Sequence, residues 1–248
     1  MAGSADTFDP TGPDAASGQA GHRALRRGQR PVLIALLALV GFALVMVLVL
    51  LGDTTGLDLG VTRASQGVHS GALLALLQGV SWLGYDPQVF IIEAVVIVAL
   101  FLARLRLEAA FTLLAALSSL TYVLLKGVAR RPRPVGGFDG IIAYGSATGT
   151  SFPSGHVLNF VVFLGFLIYL TYTLAPPRAP RTALLALLTA LIVLVGPSRI
   201  YLGQHWFTDT LASYLLGTTI LIVVLALYRL AKARQVRATA RAEPDPAR

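Results

Sequence analysis

Three short polar clusters interrupt an otherwise apolar sequence. They are residues 126–134, with the sequence KGVARRPRP, residues 151–156, with the sequence SFPSGH, and residues 198–209, with the sequence SRIYLGQHWFTD. Together they supply lysine, arginine, serine and histidine, the residue types that bind or attack a phosphoryl group. The chain has no cysteine, so thiol nucleophiles, disulfides and thiolate metal sites are excluded. The clusters therefore point to chemistry on an oxyanion held by cations.

Five residues in these clusters have the chemistry to hold phosphate oxygens. Lys126, Arg133 and Arg199 can neutralise the anion, and arginine offers a planar fork of donors that matches phosphate. Ser154 and Gly155 come where a helix is predicted to begin, and the free N–H groups at a helix start attract anions. Glycine also lets the backbone approach a ligand closely. We predict that these five residues bind the phosphoryl group.

Two histidines have neighbours that suit them to the chemical steps. His205 and Asp209 are four residues apart, a spacing that places both on one face of a helix. A carboxylate there keeps one imidazole nitrogen protonated and leaves the other as a nucleophile. His156 is suited to general acid catalysis on a leaving group. His22 and His69 lie outside the clusters and are interpreted as polar residues at the water boundary.

The composition indicates that a membrane surrounds these clusters. Apolar residues make up 55% of the 248 residues, charged residues 13%, and the mean hydropathy is +0.72. A soluble domain carries about 25% charged residues, so this chain has about half the usual supply for a water-facing surface. The sequence predicts an all-α integral membrane bundle of six transmembrane helices, over residues 31–51, 89–103, 107–125, 156–174, 182–200 and 207–230.

The remaining segments are assigned around that membrane domain, which spans residues 31–231. Residues 71–84 are predicted to form an interfacial helix along the membrane surface in the first outer segment, closed by Tyr85 as an interfacial aromatic. The alternative is a seventh crossing, which would reverse the orientation of everything after it. Residues 1–30 and the basic residues 232–248 are predicted to be disordered cytoplasmic tails.

The net charge of +8 is mostly a topology signal and not the footprint of a nucleic-acid partner. With six crossings and both termini in the cytoplasm, fourteen basic residues fall inside and six outside, as the positive-inside rule predicts. Cations on the outer side oppose this trend, and an anionic ligand is the simplest reason for them. Five of the six outer cations are clustered and are expected to surround a lipid phosphate: Lys126, Arg130, Arg131, Arg133 and Arg199.

The three clusters, in this order, resemble the three-part signature of the type 2 phosphatidic acid phosphatases, also called lipid phosphate phosphatases. The parts are a lysine with Arg-Pro after six residues, then Pro-Ser-Gly-His, then Ser-Arg with a histidine after five residues and an aspartate after three more. They run from Lys126 to Asp209, about a third of the chain. Alternating crossings place all three on one membrane face. The family shares its motif with vanadium haloperoxidases and some soluble acid phosphatases, which lack membrane spans.

The resemblance implies a six-helix membrane phosphatase with an extracytoplasmic site, expected in a bacterial inner membrane. By motif position, His205 is the nucleophile that forms a phosphohistidine, Asp209 orients it, and His156 protonates the leaving group. No cofactor and no metal is expected. The bilayer and a lipid phosphate are the expected partners, without nucleic acid. The other motif positions are implied to hold the phosphoryl oxygens: Lys126, Arg133, Ser154, Gly155 and Arg199.

The substrate and the phosphoryl acceptor stay open. Phosphatidic acid, phosphatidylglycerol phosphate and polyprenyl diphosphates all present a phosphate at the outer surface, and the motifs address only that phosphate. A composition rich in Ala, Leu and Arg favours a cell-wall polyprenyl carrier such as undecaprenyl diphosphate. The alternatives are a lipid phosphotransferase of the same family and a non-catalytic lipid-binding membrane protein. The sequence does not indicate an oligomeric state.

Two further features allow two interpretations each. The glycine-rich residues 135–150 form either a mobile lid over the site or a plain connecting loop. Glu93, in the second predicted span, is either a functional intramembrane carboxylate or a group that reaches headgroup water. Glu93 is left out of the predicted site.

Overall fold

The computed structural model describes residues 13–134, 140–145 and 148–242, with side chains described between residues 30 and 238 of these ranges. Every regular element in them is helical, which confirms the predicted all-α class. The elements in chain order are α1 (Pro13–Leu51), α2 (Thr55–Gln66), α3 (Gly71–Trp82), α4 (Gln88–Leu102), α5 (Arg106–Ser118), α6 (Thr121–Ala129), α7 (Gly155–Asn159), a π-helical turn (Phe160–Leu164), α8 (Gly165–Leu174), α9 (Ala179–Tyr201) and α10 (Phe207–Ala242).

The protein is a multi-pass membrane protein with five helical stretches long and apolar enough to cross a bilayer among the described residues. The predicted second span corresponds to α4, which has only 15 residues. At 1.5 Å per residue α4 covers about 22 Å, less than the roughly 30 Å of a hydrocarbon core. The predicted count of six spans is therefore not confirmed. The five stretches are Arg30–Leu51, Arg106–Ala129, Gly155–Leu174, Ala179–Tyr201 and Phe207–Ala238.

α4 nevertheless carries the chain from one end of the bundle to the other. We call the end that carries α2, α3 and residues 130–134 and 148–154 the loop end. Tyr85, just before α4, contacts His156 in α7 at the loop end, with ring centroids 4.9 Å apart. At the opposite end Glu108, in the first turn of α5, accepts a hydrogen bond at 2.8 Å from Lys232 in the C-terminal third of α10. α4 therefore connects the two ends, as the predicted second span does.

α7, the π-helical turn and α8 form one continuous segment through the centre of the bundle. Phe163 belongs to a buried cluster with Val195 of α9, and Phe166 meets Tyr228 of α10 edge-on at 5.5 Å. At Gly165 a Cβ atom would lie 2.6 Å from a leucine side chain of α10, so the missing side chain lets the two helices approach closely. Packing on several sides fixes this segment, and with it the first turn that carries the second polar cluster.

α3 is a helix, as predicted, but it does not cross the bundle. Before it, the Val68 carbonyl accepts a hydrogen bond from the Tyr201 hydroxyl at 2.9 Å, and near its end Ser81 accepts one from Arg199. Both partners lie in the last turn of α9, so α3 begins and ends at the loop end, and the alternative of a seventh crossing is wrong. Its placement along a membrane surface stays a prediction. The domain boundaries also stay predictions, although α1 and α10 extend into residues assigned to the tails.

Candidate active site

The three polar clusters meet at one cavity of about 500 Å³ at the loop end of the bundle. The cavity lies among the ends of α6 and α9, the start of α7 and the connection between α9 and α10. Two of the predicted site residues, Ser154 and Asp209, are fully buried next to residues of the cavity wall. The other six line the cavity: Lys126, Arg133, Gly155, His156, Arg199 and His205.

His205 lies between Asp209 on one side and a cation on the other. Its Nδ1 is 3.4 Å from Asp209 Oδ2, and its Nε2 is 3.1 Å from Arg133 Nη1. Asp209 Oδ2 also accepts the backbone N–H of Trp206 at 2.9 Å, which fixes the carboxylate. The predicted shared helix face is wrong, because α10 begins at Phe207 and His205 precedes it. The tight connection, and not helical periodicity, brings the two side chains together.

The surroundings of His205 favour a neutral imidazole. Burial disfavours the charged form and lowers the pKa of His205 well below its ordinary value, and the positive charges of Arg199 and Arg133 lower it further. With Nδ1 protonated towards Asp209, the lone pair of Nε2 lies on the side of the cavity cations. A neutral imidazole with a free lone pair is the form of histidine that acts as a nucleophile.

Five buried side-chain atoms in the described residues have no hydrogen-bond partner there, and all five belong to the three clusters. Buried polar groups are nearly always paired, so this concentration of unpaired atoms is unusual. Two of these atoms, His156 Nε2 and Arg199 Nε, belong to residues of the cavity wall and suit the oxygen atoms of a ligand, whereas His205 Nδ1 faces Asp209. The atoms are Ser154 Oγ, His156 Nε2, Ser198 Oγ, Arg199 Nε and His205 Nδ1.

The other predicted phosphate ligands differ in how they are held. Arg199 is 2% exposed, and its Nη1 donates to Ser81 and Tyr85, which leaves Nε unpaired. Lys126 Nζ lies 5.2 Å from the centroid of the Tyr122 ring. The backbone N–H of Ser154 donates to a serine hydroxyl of α10 at 2.8 Å. This N–H is therefore engaged within the protein, contrary to the expectation that it is free for phosphate.

Two of the five clustered outer cations do not reach the cavity. Arg130 has a left-handed φ of 44°, and its Nε donates to the Gly127 carbonyl of its own helix at 3.2 Å. Arg131 instead forms ion pairs with two buried carboxylates, Asp58 of α2 and, at 2.7 Å, Asp209. The expectation that all five cations surround the phosphate is wrong. Arg130 ends α6 in a left-handed conformation, so the chain leaves the helix there and the neighbouring arginines point to different places.

Replacing Asp58 with alanine is expected to lower the free energy of unfolding by about 3 kcal/mol, because it removes one of the two carboxylates that pair with Arg131 and leaves the guanidinium with Asp209 alone. Asp58 is 1% exposed and accepts hydrogen bonds from Arg131 and from both the backbone N–H and the hydroxyl of Thr208. Chemical denaturation in detergent measures the loss. Asp53→Ala, an exposed aspartate just before α2, is the matched control. Equal stability of the two variants would contradict a structural role for this ion pair.

Several cavity residues were not predicted from the sequence. Tyr85, interpreted from the sequence as an interfacial aromatic, lines the cavity, and so does Glu93. The Glu93 carboxylate accepts a hydrogen bond from Asn159 Nδ2 at 2.6 Å, so it has a partner inside the bundle and does not depend on headgroup water. The sequence signal for Glu93 was its charge within an apolar span. Tyr85 carried no signal that separates it from an interfacial aromatic.

Residues 135–150 are described only in part, since residues 135–139 and 146–147 lie outside the described ranges. The backbone N–H of Tyr144 donates to the Leu202 carbonyl at 3.1 Å, and its carbonyl accepts from Gln204 Nε2 at 3.0 Å. The Thr148 carbonyl accepts from Arg133 Nε at 3.1 Å. These contacts place the described part at the rim of the site. The lid stays a prediction.

Comparison with known proteins gives one family and one fold. The sequence model of the PAP2 superfamily matches residues 107–233, about half of the chain. The crystal structure of a transmembrane PAP2-type phosphatidylglycerolphosphate phosphatase from Bacillus subtilis is similar, with a TM-score of 0.68, 22% identity, and coverage of 78% of this chain and 94% of that one. Aquifex aeolicus LpxE is similar with a TM-score of 0.56, 22% identity, and coverage of 68% and 95%. No curated protein matches significantly.

Among the described residues, no group of three or more His, Cys, Asp or Glu side chains could hold a metal ion.

Proposed function

The chain belongs to the PAP2 superfamily, and from this premise we propose that it is a membrane phosphatase that removes phosphate from lipid phosphates or diphosphates. The placement of His205 carries the proposal. Its Nε2 lies at a cavity that three cations line, and its Nδ1 lies 3.4 Å from the carboxylate of Asp209. A nucleophile, an orienting carboxylate and a cationic cage are thus within one site.

In the first step, Nε2 of His205 attacks phosphorus and a P–N bond forms as the bond to the leaving oxygen breaks. Lys126, Arg133 and Arg199 stabilise the charge on the transferring phosphoryl group, which is the main task in phosphoryl transfer. Arg133 Nη1 contacts Nε2 in the structure, so this donor must move to a phosphoryl oxygen when substrate binds. Asp209 stabilises the proton on Nδ1 as the imidazole becomes positively charged.

His156 manages the proton in both steps. It donates a proton to the leaving oxygen in the first step. This releases the lipid alcohol from a monoester or the lipid monophosphate from a diphosphate. In the second step it accepts a proton from water as the water oxygen attacks phosphorus, the P–N bond breaks and inorganic phosphate leaves. A phosphotransferase would differ only in using an alcohol in place of water. Microscopic reversibility allows one residue to serve as acid and then as base.

The shape of the cavity supports a lipid substrate. From the cations it continues between α4 and α5, where its wall is formed by apolar side chains such as Ile97, Leu113 and Leu117. A second, largely apolar cavity of about 450 Å³ lies between α4, α8 and α9, and both cavities contact Glu93 and Asn159. A phosphate bound at His205 therefore has an apolar path for its hydrocarbon chain alongside α4.

Placing tryptophan at Ala94 tests this path. Ala94 is exposed on α4 and lines the cavity, so an indole there would fill the space for the chain without disturbing the cations. We expect kcat/KM for a long-chain lipid phosphate to fall about tenfold or more, as overpacking an occupied groove costs about 1–3 kcal/mol. Hydrolysis of p-nitrophenyl phosphate, which has no chain, should be unchanged. Ala99→Trp, an exposed alanine of α4 outside the cavity, is the matched control. Equal losses on both substrates would contradict a chain path beside α4.

We also propose six crossings, with α4 as the second, both termini in the cytoplasm and the site outside. The supporting observation is that α4 joins the two ends of the bundle, and that fourteen of twenty basic residues then lie inside.

Purified protein assayed against phosphatidic acid, phosphatidylglycerol phosphate and undecaprenyl diphosphate identifies the substrate class. The proposed function would be overturned if the wild-type protein released phosphate from none of these lipids and its phosphate release equalled that of His205→Ala.

A further inference from the structure

Tyr85 joins residues of the site that come from distant parts of the chain. It lies in the connection between α3 and α4, outside the residues 107–233 that match the family. Its hydroxyl donates to Gln204 Oε1 at 2.8 Å and accepts from Arg199 Nη1 at 3.1 Å. The guanidinium carbon of Arg199 also lies 5.2 Å from the centroid of the Tyr85 ring. One tyrosine thus contacts a predicted phosphate ligand with both its hydroxyl and its ring.

The same segment forms a wall against His156. The Tyr85 ring meets the imidazole edge-on, with centroids 4.9 Å apart and planes at 78°. At Gly84 a Cβ atom would lie 2.5 Å from His156 Cδ2, so the backbone itself touches the imidazole and only glycine fits there. His156 Nε2 has no hydrogen-bond partner among the described residues, and the ring is held by a backbone hydrogen bond with Ser81 and by packing against Gly84 and Tyr85.

The electrostatics of Tyr85 agree with this geometry. Burial raises the pKa of Tyr85, but the positive charge of Arg199 and the hydrogen bonds with neighbouring side chains outweigh burial, and the pKa lies below its ordinary value. A phenol oxygen accepts a hydrogen bond without ionising, and here it accepts one from the Arg199 guanidinium. Gln204 extends the link to a second cation, because its backbone carbonyl accepts a hydrogen bond from Arg133 Nη1 at 2.7 Å. Tyr85 connects two of the three cations of the cage.

We propose that Tyr85 is a positioning residue of this site: its hydroxyl holds Arg199 in the orientation that binds phosphate, and its ring holds His156 in the orientation that protonates the leaving group. The inference rests on the proposed function for the role of His156, whereas the role of the hydroxyl concerns anion binding alone. A buried guanidinium that loses an acceptor reorients or binds its ligand less well. An imidazole that loses its wall samples other rotamers.

Two substitutions separate the two roles. Tyr85→Phe keeps the ring and removes the hydroxyl, so inorganic phosphate should bind about tenfold more weakly. The ratio of monoester to diphosphate turnover should stay at the wild-type value. Tyr85→Leu removes the ring as well, so kcat for the monoester should fall about a further tenfold while the diphosphate changes little. Tyr172→Phe removes the hydroxyl of an exposed tyrosine at the opposite end and should match the wild type.

Phosphate binding is measured as the rise in melting temperature with added inorganic phosphate, a readout that does not need turnover. Wild-type phosphate affinity in Tyr85→Phe would overturn the role of the hydroxyl. Equal losses on monoester and diphosphate in Tyr85→Leu, or no loss on either, would overturn the role of the ring. A wild-type protein without phosphatase activity overturns the proposed function instead, and the phosphate affinity of Tyr85→Phe still decides the role of the hydroxyl. Tyr85→Phe is nearly isosteric, so this test does not depend on whether Tyr85→Leu folds.

Discussion

Replacing His205 with alanine is expected to abolish phosphate release, with kcat falling roughly 10⁴-fold or more, as when other enzymes lose a covalent nucleophile. The reason is geometric. His205 is 2% exposed and has one nitrogen at the cationic cavity and the other at Asp209, a combination found at no other histidine among the described residues. The cage of cations remains in the variant, but without Nε2 no P–N bond can form. Release of inorganic phosphate from a lipid phosphate or diphosphate measures the effect.

His69→Ala is the matched control for this variant. His69 is an exposed histidine before α3, and its replacement should leave kcat and KM unchanged. Asp209→Asn should give a smaller loss than His205→Ala, because it keeps the nucleophile and removes the charge that stabilises the imidazolium. Phosphate release at the wild-type rate from His205→Ala would disprove the phosphohistidine mechanism, whatever the behaviour of the other variants.

The three clusters could be located from the sequence because alternating crossings bring their ends together. Lys126 closes α6, His156 opens the next crossing and Arg199 closes α9, so each lies at the end of a predicted span. Spacing along the chain was enough for this step. Spacing could not show which of the clustered arginines enters the cavity, because Arg131 and Arg133 have the same charge and lie two residues apart. That distinction depends on how the chain turns after α6.

The residues that support the site lie where sequence patterns carry little information. Asp58 reaches Arg131 across 73 positions, and Tyr85 reaches Gln204 across 119. Neither contact repeats with a helical or strand period, and each side chain has a common alternative role at a membrane surface. The helices themselves were predicted from their apolar composition. The π-helical turn at Phe160–Leu164 was not predicted. It changes the hydrogen-bond pattern of a helix without changing its apolar composition.

Replacing His156 with alanine is expected to slow monoester substrates far more than diphosphates. An alkoxide is a poor leaving group and needs a proton as it departs, so loss of the acid should lower kcat roughly 10²- to 10⁴-fold. The leaving group of a lipid diphosphate is the lipid monophosphate, which is a much weaker base and needs less proton donation. His156 lines the same cavity as His205, which places its imidazole within the volume where the leaving group departs. Parallel kcat measurements on phosphatidic acid and a polyprenyl diphosphate give the comparison.

p-Nitrophenyl phosphate separates proton donation from binding. It is a monoester, but its phenolate leaves easily, so His156→Ala should affect it as little as the diphosphate. If His156 only helped to bind the phosphoryl group, all three substrates would share the same phosphate contacts and would lose activity equally. Equal losses would therefore reject the acid role and assign His156 to the cage with Arg199. A graded loss that follows the basicity of the leaving group is the outcome that only a general acid produces.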